Sequence, residues 1–192
     1  MEGHAFGCVR NTIKLRSGKY FDLADPRPDQ FDFADIAGAL SKICRFGGQC
    51  EFFYSVAEHS YHCALQAKDD GMPLETQAAV LMHDAAEAFV GDMVKPLKVM
   101  LPDFGKVERA VEAAIAEKFL IDFEREAAVI KEIDRAMLIA ERRAMFGADD
   151  ILWAGENEVR RLVGFFQKWT PVEAETRFVR LARAIGISVK AS

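Results

Sequence analysis

Residues 78–98 read AAVLMHDAAEAFVGDMVKPLK, the most apolar helix-like stretch of the chain, with His83, Asp84 and Glu87 set in its middle. On a helix, residues three and four apart share a face, so Glu87 stands one turn after both His83 and Asp84. Charge buried among Ala, Val, Leu, Met and Phe is costly unless a partner or a metal compensates. Any fold this chain adopts must therefore carry further polar groups to that face. A histidine beside a carboxylate, with a second carboxylate one turn on, suits a divalent cation and a proton-handling group.

The flanking sequence supplies helices. Phe33, Ile36, Ala37, Leu40 and Ile43 recur at helical spacing over 32–44, and Arg45-Phe46-Gly47-Gly48 ends that segment. Ser55 and Glu58 form an S-x-x-E capping box for a helix running to about Asp70, with His59 and His62 in its first two turns. Pro73 opens the central helix and Gly91 stops it; a short helix begins near Pro96 and Pro102 ends it. Over 103–119, Val107, Ala110, Val111, Ala114, Ile115 and Phe119 form one stripe. Over 124–146, Ile130, Ile133, Met137, Ala140 and Ala144 point inward, and Asp134 lies on that same apolar face. Helices over 156–169 and 171–185 follow, the second opened by a capping box from Thr170 to Glu173. The β signal is confined to 12–23, where Ile13 and Leu15 alternate with polar residues up to a Ser17-Gly18 turn. The expected fold is an all-α helical bundle with a small N-terminal β-hairpin. No repeat or linker divides it, so residues 1–192 are read as one domain: hairpin about 12–23, site core about 45–146, C-terminal helices about 156–186.

Several classes are disfavoured. A net charge of −5 gives no general basis for binding a nucleic-acid polymer or a membrane. Cys8, Cys44, Cys50 and Cys63 form no CxxC pair and read as reduced thiols. No signal-peptide pattern or bilayer-length apolar run is present, which makes the cytoplasm the expected location.

His59, His83, Asp84 and Asp134, from three separate helices, are the candidate ligands of one divalent metal. Imidazole and carboxylate donors suit Mn, Co, Fe, Ni or Zn, with Mg admitted where substrate phosphates complete the shell. Such an ion would lower the pKa of a bound water and neutralise charge on a phosphoryl group. Glu87 is placed to act beside it as general acid or base. Singly, each residue has an ordinary reading. His62 fits a structural role, Arg45, Lys95 and Lys98 fit solvated charges, and Phe46 with Phe52, Phe53 and Tyr54 fits a core. The conjunction of charged groups on apolar helix faces is what singles the set out.

The order His59, His83-Asp84, Asp134 resembles the H…HD…D signature of the HD-domain metal-dependent phosphohydrolases. The blocks RFGGQCEFFYSVAEHS (45–60), LMHDAAEAFVGDMVKPLK (81–98) and EIDRAMLIAERR (132–143) are similar to the branch holding the bacterial 5′-deoxynucleotidases. The resemblance makes His59, His83, Asp84 and Asp134 the metal ligands and puts Glu87 in the place of the catalytic glutamate. It implies that Asp92 orients the attacking water or the sugar, and that Arg45 and Lys98 hold the phosphate. In those enzymes a tryptophan follows the arginine. Phe46 keeps an aromatic wall there but lacks the indole donor, which leaves strict 2′-deoxy selectivity open.

The implied function is hydrolysis of nucleotide phosphate esters, first a (deoxy)nucleoside 5′-monophosphate phosphatase. The alternative is a deoxynucleoside triphosphate triphosphohydrolase, for which Lys95, Lys98, Arg142 and Arg143 are candidate cations. A reading of another class is a non-catalytic nucleotide-sensing module. The implied partner is a small nucleotide. Association as a dimer or larger ring is expected, and Phe165, Phe166, Trp169 and Phe178 offer an apolar face equally suited to closing a core.

Overall fold

The alternation at Ile13 and Leu15 produces a hairpin in the computed structural model, which describes residues 11–147, 153, 162 and 166–188. Strand β1 (Thr12–Lys14) pairs antiparallel with β2 (Tyr20–Asp22), Ile13 opposite Phe21, and Gly18 takes the left-handed turn position at φ 89°. Phe21 is fully buried against the rings of Phe31 and Phe89, at 5.2 and 4.4 Å, so the hairpin is anchored to the helical core.

The helices are α1 (Phe33–Leu40), α2 (Val56–Asp69), α3 (Leu74–Met82), α4 (Glu87–Val90), α5 (Lys95–Met100), α6 (Pro102–Phe119), α7 (Phe123–Phe146) and α8 (Pro171–Ala184). The protein is all-α apart from the hairpin, as its helical periodicities predict. No helix among the described residues is long and apolar enough to cross a membrane. Helices α2, α3 and α7 pack mutually, and α8 lies against α1 and α2. Phe33, Ile36, Leu40, Val56, Leu81, Met82, Ile115, Ile133 and Phe178 are buried in one continuous core. Each such side chain contributes about 1.5–3 kcal/mol on leaving water.

Helix α1 ends at Leu40, short of the expected 44. Cys44 instead forms an isolated antiparallel bridge with Ser55. Arg45 N–H donates to Tyr54 O at 2.9 Å and Val56 N–H to Ile43 O at 3.0 Å. Residues 45–54 thus form a loop pinched at its base. Within it Phe46 adopts φ 57°, a left-handed conformation uncommon for a non-glycine residue.

The central helix, expected unbroken from Pro73 to Gly91, stops at Met82. Residues 83–86 form successive turns in which Ala85 N–H reaches Met82 O at 2.9 Å and Glu87 N–H reaches Asp84 O at 3.0 Å. These are three-residue bonds, tighter than α-helical ones. Pro102 starts α6 rather than ending a helix. Because α6 is peripheral, its buried stripe narrows to Val111, Ala114 and Ile115, leaving Val107 and Ala110 exposed. On α7 Ala144 is exposed near the helix end, while Ile133, Met137 and Ala140 are buried as expected.

The box at α8 is complete, Thr170 accepting from Glu173 N–H and Glu173 from Thr170 N–H. At α2 half of the expected box forms: Ser55 accepts from Glu58 N–H, whereas the Glu58 carboxylate turns inward, 3.7 Å from His62 Nε2. Most of the helix expected over 156–169, Phe165 included, lies outside the described residues, and 166–169 are non-helical. Trp169 and Phe178 close the core.

Candidate metal centre

Three packed helices bring the predicted ligands together. His59 lies in the first turn of α2, fully buried; His83 and Asp84 follow the end of α3; Asp134 sits midway along α7, half-buried. His59 Nε2 is 3.3 Å from His83 Nε2, 3.2 Å from Asp134 Oδ1 and 3.5 Å from Asp84 Oδ2. His83 Nε2 is 3.2 Å from Asp84 Oδ2 and 3.9 Å from Asp134 Oδ1.

Each imidazole is held from behind. His83 Nδ1–H donates to Val80 O at 2.7 Å, one of the carbonyls that the end of α3 leaves without an N–H four residues on. His59 Nδ1–H donates to Glu141 Oε1 at 2.5 Å. Both Nε2 atoms are thereby turned toward the two aspartates. Four acceptor atoms face one another, and positive charge, as protons or as a cation, must lie among them.

The facing carboxylates favour the protonated imidazoles when no ion is bound. Burial and Arg45 oppose the charge at His59, but Cys63, Glu141 and Asp134 hold the imidazole well above its ordinary pKa. Burial likewise opposes charge on His83, which Asp84 and Asp134 outweigh. Burial would raise Asp84, yet His83, His59 and Arg45 bring it down to about 2.

The donor set also fits a metal. Ligand distances of about 2.0–2.1 Å place neighbouring donor atoms about 3 Å apart. The His59, His83 and Asp134 ligand atoms all lie within 4.8 Å of one another, and this group could hold a metal ion. Cys63, buried on α2, places its Sγ 3.6 Å from His59 Nε2.

Glu87, at the start of α4, is buried, and its Oε2 has no hydrogen-bond partner among the described residues. Burial, then the charges of Asp84 and Asp92, push its carboxyl up to about 9. Burial also raises Asp92, against the pull of Arg45. Arg45 is buried beside the cluster, its Nη1 3.4 Å from Asp84 Oδ2 and its Nη2 3.3 Å from Glu141 Oε2.

The other expected substrate contacts are arranged differently. Lys98 donates to Glu108 at 2.6 Å, Lys95 and Arg143 are exposed, and the buried Arg142 stacks over Trp153 at 5.5 Å. Phe46 packs edge-on against Phe146 at 5.2 Å and Trp153 at 6.3 Å, an aromatic cluster where α7 ends. His62 stacks on Trp169 at 5.3 Å.

Sequence reasoning missed Glu141. The available signal was its position two turns after Asp134, on the same face of α7.

The fold and the site define an all-α protein with a partly buried histidine–aspartate group able to hold a metal ion. No family model matches the chain. It is 41% identical over 138 residues to the uncharacterized protein YfdR of Escherichia coli (strain K12), spanning 72% of this chain and 74% of that protein. It is 30% identical over 156 residues to the uncharacterized protein RCAP_rcc00048 of Rhodobacter capsulatus, spanning 79% and 78%. The chain belongs to the family of these YfdR-like proteins.

Proposed function

We propose that this protein is an HD-type metal-dependent phosphohydrolase that cleaves nucleoside 5′-monophosphates. The observation that carries the reading is the convergence of His59 from α2, His83 and Asp84 from just beyond α3, and Asp134 from α7, with their facing atoms 3.2–3.9 Å apart. These four would hold one divalent ion, Mn, Co, Fe, Ni or Zn by donor type. When bound, such an ion supplies Lewis-acid stabilisation of phosphoryl charge and lowers the pKa of water.

The chain's own residues supply the rest. Glu87 exchanges a proton with the leaving or attacking oxygen through its carboxyl. Asp92 accepts a hydrogen bond from the attacking water or the sugar hydroxyl. Arg45, already aimed at Asp84, presents its guanidinium to the phosphate. The Phe46 ring walls one side of the substrate mouth. Lys98 joins the phosphate contacts by exchanging Glu108 for the substrate, and Lys95 flanks it from the solvent side.

The test is chromatographic product analysis after incubating Mn- or Co-loaded protein with deoxynucleoside and ribonucleoside mono- and triphosphates. Release of free phosphate and nucleoside from the monophosphates is expected. Triphosphate or pyrophosphate release from the longer substrates alone would replace the reading with a triphosphohydrolase. No turnover with metal bound would replace it with nucleotide sensing. Asp84→Ala is expected to lose both metal and turnover, and Glu87→Ala to retain metal and lose turnover.

A further inference from the structure

Glu141 lies behind the ligand cluster, not in it. It is fully buried on α7, and its two oxygens meet three donors. Oε1 accepts from His59 Nδ1–H at 2.5 Å and from the Tyr54 hydroxyl at 2.8 Å, and Oε2 accepts from Arg45 Nη2 at 3.3 Å. An imidazole that binds a metal is neutral and keeps one N–H. With that N–H on Nδ1 toward Glu141, the Nε2 lone pair faces His83, Asp84 and Asp134. The opposite tautomer would set a lone pair against the carboxylate and an N–H where an ion must bind.

We propose that Glu141 is a positioning residue that fixes His59 in its Nδ1–H form, aims Nε2 at the metal, and with the same carboxylate holds Arg45 beside Asp84. The proposal rests on the metal-site reading above. Removal of a carboxylate that orients a metal-bound histidine commonly weakens metal affinity 10–100-fold. The competing account is that Glu141 merely neutralises a buried arginine, which would make it matter for folding alone.

Two measurements separate these accounts. Zinc affinity is read by competition with a chromophoric chelator in wild type, Glu141→Gln and Tyr54→Phe. The glutamine has one carbonyl oxygen for His59 and Arg45 together, so affinity is expected to fall about 10–100-fold. Tyr54→Phe disturbs the same buried cluster but leaves the His59–Glu141 bond, and should change affinity less than about threefold. Equal losses in both variants, or none in Glu141→Gln, would overturn the proposal.

The second measurement is long-range 1H–15N correlation spectroscopy of the imidazoles. It is expected to show a slowly exchanging Nδ1 proton on His59 in wild type, shifted or lost in Glu141→Gln. A rapidly exchanging or absent Nδ1 proton in ion-free wild type would overturn the proposal even if the variant fails to fold. Zinc binding that persists unchanged in His83→Ala would instead remove the metal-site reading, with the spectra still deciding the Glu141 bond.

Discussion

Replacing Glu87 by glutamine should make the ion-free protein more stable while removing turnover. Glu87 is buried and its carboxyl is pushed up to about 9, by burial first and then by Asp84 and Asp92, from an ordinary 4.5. Between these values the folded protein holds a proton that the unfolded chain has released. The raised pKa therefore contributes stability below about pH 4.5, and that stability is lost as pH rises through about 9. At pH 7, keeping this carboxyl protonated against its unfolded value costs about 3 kcal/mol, from 1.36 kcal/mol for each pH unit above 4.5. Glutamine is neutral in both states and has no such cost.

Urea unfolding followed by circular dichroism, with a chelator present, should show Glu87→Gln and wild type close together near pH 4.5. At pH 7 the variant should lead by about 3 kcal/mol, equivalent to about 6–12 °C in midpoint for a chain of this size. The denaturant slope should be unchanged. A difference that is the same at both pH values would refute the reasoning, because it would place an ionised Glu87 in the folded protein. Gained stability with lost activity is the usual trade at a site built against its own stability.

Phe178→Ala removes a fully buried ring stacked on Phe33 at 5.7 Å and should cost about 3–5 kcal/mol in urea unfolding. A loss under about 1 kcal/mol would mean that α8 does not close the core. Ser55→Ala deletes the acceptor of Glu58 N–H at 3.1 Å and should cost about 1 kcal/mol, read in the same assay. Zinc or manganese at about 100 times its Kd should raise stability by about 2.7 kcal/mol over chelator-treated protein, measured by thermal melts. His83→Ala and Asp134→Ala should abolish that gain.

The legible parts of the sequence were those where one local rule acts alone. The Thr170 box, the Ser17-Gly18 turn and the periodicity of α7 needed nothing beyond spacing. The four proposed ligands stood out because charge on an apolar face demands an explanation. Three features were hidden, each for a physical reason. The break after Met82 is not marked by Gly or Pro: Ala85 and Ala86 favour helix, and tertiary contacts of the His83 and Asp84 side chains override them. Glu58 reads as a capping glutamate, yet its side chain follows the buried face toward His62. Glu141 sits in AERR, a string typical of a solvated helix end. Only the docking of α2 and the 45–54 loop on α7 makes it the most enclosed carboxylate of the cluster.

The pinched base of the 45–54 loop separates two duties that a single segment would otherwise mix. Arg45 and Tyr54, at its ends, both reach Glu141, while Gly47, Gly48 and Gln49 at its tip are exposed. Closure entropy grows slowly with length, about 0.6 kcal/mol for each doubling. Residues inserted between Gly48 and Gln49 would therefore remodel the rim beside Phe46 without moving the ends that hold the buried carboxylate. The tip can therefore change in length as a unit separate from the clasp that Arg45 and Tyr54 make on Glu141.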